Sequence, residues 1–331
     1  MKIYGFANRA ITAILCSVML FACGGGGGSN DIDPVEQERE ARAYLSQVLT
    51  IMRENALTRN EVDWSSLETE VNQLAVNAKS IRDTYPAITR ALQLINTNHS
   101  FLADASGSII TYPSTLTCNE QVSFSQPNVE GIGYIRVDGF TSGDSDQANL
   151  FASNIQARIA EQDSPQVTAW IVDLRENTGG NMWPMIAGLG PLFEGTIQGH
   201  FIDPNEEIVA WGYNSRASYL GENNVVEINQ PYTLINPLPK IAVLSSKRVG
   251  SSGEATLIAF KKQFNTRFFG NNSCGLSTAN SSYALSDGSA LVLTTAVMAD
   301  RDQVKYGGPV LVDQQSNSSD TMAQAIAWLQ E

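Results

Sequence analysis

The stretch from residue 249 to residue 260 constrains the fold most, because it places a serine where a buried strand turns into a helix. The apolar run 241–244 before it is short enough for such a strand, and apolar residues after it recur at helical spacing. Backbone N–H groups and the positive end of the helix dipole therefore lie beside Ser251 and suit an anion that develops near a nucleophile. The alternative is that Ser251 or Ser252 is only an N-cap, with Glu254 completing a capping box.

A second informative stretch, residues 172–181, contains Gly179 and Gly180 between a continuous apolar strand and a helix. Consecutive glycines let the backbone approach a ligand closely and aim N–H groups at it, which is how an oxyanion hole is built. The alternative is a tight strand-to-helix turn that needs positive φ angles.

The periodicity elsewhere predicts an α/β protein in which helices precede a layered core. Three amphipathic helices are expected between residues 33 and 98, where they must pack on one another or on the next domain. Strands then alternate with helices, interrupted by a β-rich insertion at about 198–236. The expected core segments are the strands 131–137, 167–174, 241–244 and 266–269, the apolar run 290–298, and the helices 150–159, 183–193 and 322–329.

The start of the chain is typical of an export signal followed by a tether. Two positive charges precede an apolar core, residues 10–22, which is too short to span a bilayer but suits a signal peptide over residues 1–22. Residues 20–23 resemble a bacterial lipobox with Cys23 as the lipidated residue, and the glycine-rich residues 23–32 form a flexible tether. We therefore expect a protein lipid-anchored to a bacterial membrane, by default the outer membrane, that faces the periplasm or the cell surface.

The net charge, the cysteines and the histidines indicate which partners and cross-links to expect. The formal net charge of −13 argues against nucleic acid, whose phosphates select basic surfaces. Cys118 and Cys274 remain once the signal peptide and the lipidation site are set aside, and two thiols in an exported protein favour a disulfide, with free thiols as the alternative. The two histidines, His99 and His200, lie in no ligand-spaced cluster, so we expect no metal and no cofactor.

Five short motifs follow one another along the chain: Asn98-His99-Ser100, Asp173-Leu-Arg-x-Asn-x-Gly-Gly180, Ser251-Ser-Gly-Glu254, Gly270-x-x-Ser-x-Gly275 and Asp287-Gly288. In order and spacing they resemble the S41 peptidases, the family of the C-terminal processing (tail-specific) proteases, the tricorn core and the interphotoreceptor retinoid-binding protein. The resemblance covers about residues 34–314. It implies an N-terminal helical bundle over residues 33–98, followed by a ClpP/crotonase-like β/α core over residues 99–331.

The resemblance also implies a role for each matching residue. Ser251 aligns with the nucleophile and His99 with the general base that takes its proton. From the residues alone, the favoured interpretation of His99 is a structural histidine at a helix end, as we expect His200 to be. The remaining site residues are the oxyanion-hole groups of Gly179, Gly180 and Ser252 and the supporting residue Glu254.

Two departures from the family pattern define the branch. Leu276 occupies the position of the lysine that tail-specific members pair with their serine, so no Ser–Lys dyad is expected. Only about 30 residues separate His99 from the first core strand, which leaves no room for a PDZ domain. The chain is therefore closer to the histidine-using branch of the tricorn core and the retinoid-binding protein. Its layout is similar to that of the nisin-resistance proteases.

The acid that would orient the imidazole is missing from its family position, which falls near Lys305. Asp302 and Asp300 are nearby substitutes in the sequence. Two alternatives stay open: an exposed acidic turn that has no catalytic role, and a Ser–His dyad that works without an acid.

The sequence thus predicts an exported serine peptidase that cleaves peptides or proteins, near their C-termini. Its activity should rise with pH through a value near neutral, where an ordinary imidazole loses its proton. The alternative is a catalytically silent protein on the same fold that binds hydrophobic ligands or peptides. The presence of both Ser251 and His99 favours the enzyme. An α/β-hydrolase esterase is disfavoured because the chain has no Gly-x-Ser-x-Gly elbow.

Overall fold

Two β-sheets and seven α-helices form the part of the chain that the computed structural model describes, residues 34–124 and 126–331. The expected signal peptide, the lipidation site at Cys23 and the tether lie outside these residues. The helices are α1 (Pro34–Asn55), α2 (Trp64–Leu74), α3 (Tyr85–Ile95), α4 (Ser145–Gln162), α5 (Met182–Leu189), α6 (Ser252–Ala259) and α7 (Thr321–Leu329). The strands are β1 (Phe101–Ala103), β2 (Ile109–Ile110), β3 (Ile132–Arg136), β4 (Ala169–Asp173), β5 (Ile197–Ile202), β6 (Ile208–Tyr213), β7 (Ala217–Leu220), β8 (Asn223–Glu227), β9 (Lys240–Ser245), β10 (Thr266–Gly270), β11 (Thr278–Ala284), β12 (Ala290–Asp300) and β13 (Gln314–Gln315).

The five-stranded sheet is parallel throughout, in the order β13-β10-β9-β4-β3. Every residue of β4 is buried, as expected for a strand that helices cover on both faces. Helices α4, α5 and α6 share a hydrophobic cluster with one face of the sheet, and α7 packs on the other face. The carboxyl ends of parallel strands meet at one edge, so the loops that follow β4 and β9 lie side by side.

The eight-stranded sheet joins the N-terminal helices to the rest of the chain. Its order is β2-β1-β12-β5-β6-β7-β8, with β11 paired to β12 as well. The apolar faces of α1, α2 and α3 pack in one cluster with Leu102, Leu291 and Leu293 of this sheet. The hydroxyl groups of Tyr44 and Ser289 add a buried hydrogen bond of 2.6 Å. The segment between α3 and β1, which contains His99, is therefore held against β11 and β12.

The predicted fold class is confirmed: a helical region precedes a mixed helix-and-sheet core, and the expected insertion at about 198–236 forms β5 to β8. Helix α4 is longer than the periodicity indicates, because it begins at Ser145, where the Asp144 carboxylate accepts a hydrogen bond from the Gln147 N–H. The domain boundary at residue 98 stays a prediction. Of the described helices, none is long and apolar enough to cross a lipid bilayer.

The contact between β3 and β4 provides a test of the core packing. A Cβ atom added at Gly133 would lie 2.5 Å from a ring atom of Trp170, which is fully buried. We expect Gly133→Ala to lower the free energy of unfolding by about 1–3 kcal/mol, because the core must shift to admit the methyl group. Chemical denaturation measures this. The control is Gly143→Ala, where an added Cβ meets no atom within 4 Å; equal stability of the two variants would contradict the packing described.

Candidate active site

Ser251 lies in the turn that joins β9 to α6, in a backbone conformation that few residues other than glycine adopt. Its φ is 53° and its ψ is −119°, outside the regions that L-residues ordinarily occupy. The backbone N–H of Ser251 donates a 2.9 Å hydrogen bond to Glu254 Oε2. From this turn, Ser251 Oγ lies 2.9 Å from Nε2 of His99.

The carboxylate of Glu254 is fully buried and accepts four hydrogen bonds. Oε1 accepts from the Ser273 hydroxyl at 2.5 Å and from the Gly275 N–H at 2.8 Å. Oε2 accepts from the Leu276 N–H at 2.7 Å as well as from Ser251. Burial raises the pKa of Glu254 to about 7, while the four donated bonds work in the opposite direction by favouring the charged form. Glu254 thus connects Ser251 to the turn 273–276.

The loop that contains His99 is fixed to the two strands beside it. The His99 carbonyl accepts a 2.9 Å hydrogen bond from the Asn280 side chain, and the Asn98 N–H donates to the Tyr112 hydroxyl at 2.8 Å. The Ser100 hydroxyl accepts from the Thr294 N–H at 2.9 Å. The serine of the Asn98-His99-Ser100 motif therefore anchors the loop and does not contact the imidazole.

The imidazole of His99 is held at both nitrogens. Nε2 faces Ser251 Oγ, and Nδ1 lies 2.8 Å from the hydroxyl oxygen of Thr278, the first residue of β11. Burial lowers the pKa of His99 to about 4, so the ring is neutral and able to accept a proton at any pH well above this value. The expectation of a transition near neutral pH assumed an ordinary imidazole, and burial places the pKa of this ring below that range.

Asp302 is not at the imidazole, because Thr278 occupies the Nδ1 side. Asp302 is exposed in the turn after β12, and its N–H donates to the Asp300 carboxylate at 3.0 Å. The second oxygen of Asp300 accepts a 3.1 Å bond from the Tyr306 hydroxyl. Both carboxylates therefore belong to the turn, and the predicted orienting role of Asp302 is wrong. Lys305, at the family's acid position, pairs with an exposed glutamate.

Two backbone N–H groups beside Ser251 lack hydrogen-bond partners within residues 34–124 and 126–331. They belong to Gly180, which is exposed, and to Ser252 at the start of α6. The Ser252 hydroxyl donates to the Gly180 carbonyl at 2.6 Å and so joins the two loops. The predicted third donor, Gly179, is engaged, because its N–H bonds Asn177 Oδ1 at 3.0 Å. The pair that remains available for an oxyanion is Gly180 and Ser252.

Gly179 and Gly180 must both be glycine, because neighbouring atoms lie too close to leave room for a side chain. At Gly179 (φ 105°) an added Cβ would lie 3.0 Å from the Ser251 Cβ and 2.7 Å from the Gly250 carbonyl oxygen. At Gly180 (φ 113°) it would lie 2.1 Å from the Phe140 carbonyl oxygen. The role of Gly179 is thus to let the two loops touch.

Residues that the sequence showed only as parts of motifs stabilise this arrangement. Asp173 and Arg175 form a buried two-pronged ion pair, with Arg175 Nε to Oδ1 at 2.9 Å and the terminal nitrogen to Oδ2 at 2.7 Å. Tyr134 donates to the same carboxylate at 3.0 Å, and the Arg175 carbonyl accepts from Ser246 at 2.5 Å. The Asp-Leu-Arg motif thus ties the loop after β4 to the loop after β9.

The predicted disulfide between Cys118 and Cys274 is present, with the two Cα atoms 4.9 Å apart. It attaches the long connection before β3 to the turn that holds Glu254. The Glu120 carboxylate, two residues on, accepts from the Lys247 N–H and from the Asn271 side chain, each at 2.8 Å. His200 is buried and donates from Nδ1 to a backbone carbonyl. Across the described residues, no three His, Cys, Asp or Glu side chains are grouped as a metal site requires.

A serine bonded to a neutral imidazole, at the carboxyl edge of a parallel sheet, is an arrangement suited to hydrolysis, and comparison with known families gives the same class. Residues 131–309 match Peptidase family S41, and this match covers more than half of the chain. The chain belongs to peptidase family S41.

Relatives and solved structures agree with this membership. The chain is 28% identical over 291 residues to the nisin-resistance protein of Lactococcus lactis subsp. lactis, with 86% of each chain covered. A lipoprotein from Streptococcus agalactiae has a similar fold, with a TM-score of 0.70, 22% identity, and coverage of 95% of this chain and 99% of the other. The photosystem II D1 C-terminal processing protease is more distant, with a TM-score of 0.56, 14% identity, and coverage of 84% and 93%.

Glu254→Gln tests the role assigned to the buried carboxylate. The amide places an N–H₂ group where an oxygen now accepts two hydrogen bonds, so donors face donors. We expect the free energy of unfolding to fall by about 2–4 kcal/mol, because buried donors are left unpaired. Reactivity of Ser251 with a fluorophosphonate should fall as well. The control is Glu70→Gln on the exposed face of α2, which should change stability by less than about 0.5 kcal/mol. Native stability of Glu254→Gln would show that the carboxylate holds nothing in place.

Proposed function

We propose that the protein is a serine peptidase in which Ser251 is the nucleophile and His99 the general base. The observation that carries the proposal is the 2.9 Å contact between Ser251 Oγ and His99 Nε2, made by a ring that burial keeps neutral. Such a pair, distant in sequence and joined in the fold, is the usual arrangement for an activated serine. Membership of a peptidase family supports an amide bond as the target.

In the proposed reaction, Ser251 Oγ attacks the scissile carbonyl carbon while its proton passes to His99 Nε2. The carbonyl oxygen becomes an anion and accepts hydrogen bonds from the Gly180 and Ser252 N–H groups. The imidazolium then returns the proton to the leaving amine, and the peptide bond breaks to give an acyl-enzyme. Water, deprotonated by the same imidazole, releases the acid and restores the serine hydroxyl.

The substrate class inferred is peptides or proteins, cut near their C-termini, and no nucleic acid partner is proposed. Support for the C-terminal preference comes from the S41 resemblance, whose motifs extend over most of the chain. A peptide set offered with free and with amidated C-termini separates this preference from cleavage at internal sites. Faster cleavage of the free-acid peptides is the expected result, and equal rates would contradict the preference.

Variants of the two residues test the proposed chemistry. Ser251→Ala and His99→Ala should each lower kcat by about 10⁴-fold or more, and the double variant should be little worse, because members of one catalytic unit are not additive. Asp302→Asn is the control and should retain activity, since this side chain is exposed and Nδ1 of His99 contacts Thr278. Peptide turnover and fluorophosphonate labelling measure the outcome. A native protein that neither labels nor cleaves would favour the alternative, a binding protein on the same fold.

The pH profile follows from the same geometry. Only neutral imidazole accepts the serine proton, and burial holds the pKa of His99 at about 4, below its ordinary value of 6.5. In a profile of kcat/KM against pH, titration of His99 should therefore remove activity only as pH falls through about 4. A loss that begins near 7 would instead report protonation of Glu254, whose pKa burial raises to about 7.

We also propose that the mature protein begins at a lipidated Cys23 and is anchored to a membrane, by default the outer membrane, facing the periplasm or the cell surface. Support comes from the lipobox-like residues 20–23 and from the disulfide, which forms in oxidising compartments. Cys23→Ser should release the protein from the membrane fraction or block its processing, whereas the control Cys16→Ser should leave both unchanged. Cell fractionation with immunoblotting measures this. Unchanged membrane association of Cys23→Ser would exclude the anchor.

A further inference from the structure

His99 is oriented by a hydroxyl group where a carboxylate is the more familiar partner. We propose that Thr278 is a positioning residue that holds the imidazole through Nδ1 without fixing which ring nitrogen carries the proton. This inference rests on the proposed Ser251–His99 chemistry. It assigns Thr278 the place that sequence reasoning gave to Asp302.

The Thr278 hydroxyl is placed rigidly with respect to the nucleophile. Thr278 is buried, with 6% of its surface exposed, and β11 pairs it with Val297 of β12. Its N–H donates to the Leu276 carbonyl at 2.8 Å, and the Leu276 N–H is bound by Glu254, which also binds the Ser251 N–H. One continuous set of hydrogen bonds therefore positions both the group that His99 must deprotonate and the group that orients its ring.

A hydroxyl and a carboxylate differ in what they permit. An ionised carboxylate only accepts, so it forces the proton onto Nδ1 and leaves Nε2 free to act as a base. The Thr278 hydroxyl can accept from an Nδ1–H or donate to an unprotonated Nδ1. In the first case Nε2 presents its lone pair to Ser251; in the second it presents an N–H and cannot accept a proton. Only the first tautomer is reactive, and Thr278 allows both.

The charges around the ring agree with this reading. Burial lowers the pKa of His99, and the group that contacts Nδ1 is the uncharged hydroxyl of Thr278. Glu254 of α6 reaches the site through the Ser251 N–H, and Tyr112 contacts the Asn98 N–H. Asn280 of β11 contacts the His99 carbonyl. Thr278 therefore supplies orientation but no charge.

Three variants at position 278 test whether the hydroxyl group orients the imidazole. Thr278→Ser keeps the hydroxyl and should retain kcat within about 3-fold. Thr278→Val leaves a buried Nδ1 unpaired and should lower kcat by about 10- to 100-fold with KM unchanged. Thr278→Asp supplies a negatively charged group that only accepts hydrogen bonds. It should raise the pKa seen in the acid limb of the kcat/KM profile by at least about one pH unit. Thr295→Val is the control, because its hydroxyl bonds Ser281 within the same pair of strands.

The readouts distinguish this inference from the proposed function. If wild-type protein neither cleaves nor labels, the Ser251–His99 chemistry fails, and the role of Thr278 fails with it. If wild-type protein is active, wild-type kcat in Thr278→Val, or an unshifted acid limb in Thr278→Asp, overturns the positioning role alone. If Thr278→Val does not fold, the pKa of the acid limb of kcat/KM can still be compared between Thr278→Ser and Thr278→Asp, and this comparison decides the question.

Discussion

The four hydrogen bonds accepted by the buried Glu254 carboxylate are the interaction on which the rest of the site depends. They hold the strained Ser251 backbone, and strain of this kind persists only where the surroundings impose it. They also fix the turn 273–276, from which β11 starts and to which the disulfide is attached. The Glu254 side chain thus links Ser251, the disulfide and the strand that contains Thr278.

The two halves of the site come from different parts of the fold. Ser251 and the glycine loop follow neighbouring parallel strands, β9 and β4, whose carboxyl ends meet by topology. His99 follows the helical region, which is packed on Leu102 of β1 and on Leu291 and Leu293 of β12. This packing, together with the hydrogen bonds of the loop around His99, places the ring at Ser251, so the helical region supports His99 as well as covering the sheet.

Much of this could be predicted from the sequence. The strand–serine–helix pattern and the paired glycines carry local signals, so Ser251, Gly180 and Ser252 were accessible, and the order of five motifs added His99 and the fold. The disulfide is predictable because two cysteines remain in a chain that is expected to be exported to an oxidising compartment. Strand β11 was not accessible, because its sequence, Thr-Ala-Asn-Ser-Ser-Tyr-Ala, is mostly polar and shows no apolar alternation. No pattern therefore points to Thr278, whereas Asp302 is near the family's acid position in the sequence but does not contact the imidazole in the fold. The engaged N–H of Gly179 and the low pKa of His99 depend on tertiary contacts and burial, which no local pattern reports.

The central claim is that Ser251 is activated by His99 and faces an oxyanion site made by two backbone donors. A crystal structure of the protein after reaction with a fluorophosphonate tests it most directly. The account predicts phosphorus bonded to Ser251 Oγ, with one phosphonyl oxygen at roughly 2.7–3.1 Å from the N–H nitrogens of Gly180 and Ser252. Phosphorus on Ser252 or on another residue, or a phosphonyl oxygen that bonds neither of these two nitrogens, would contradict it.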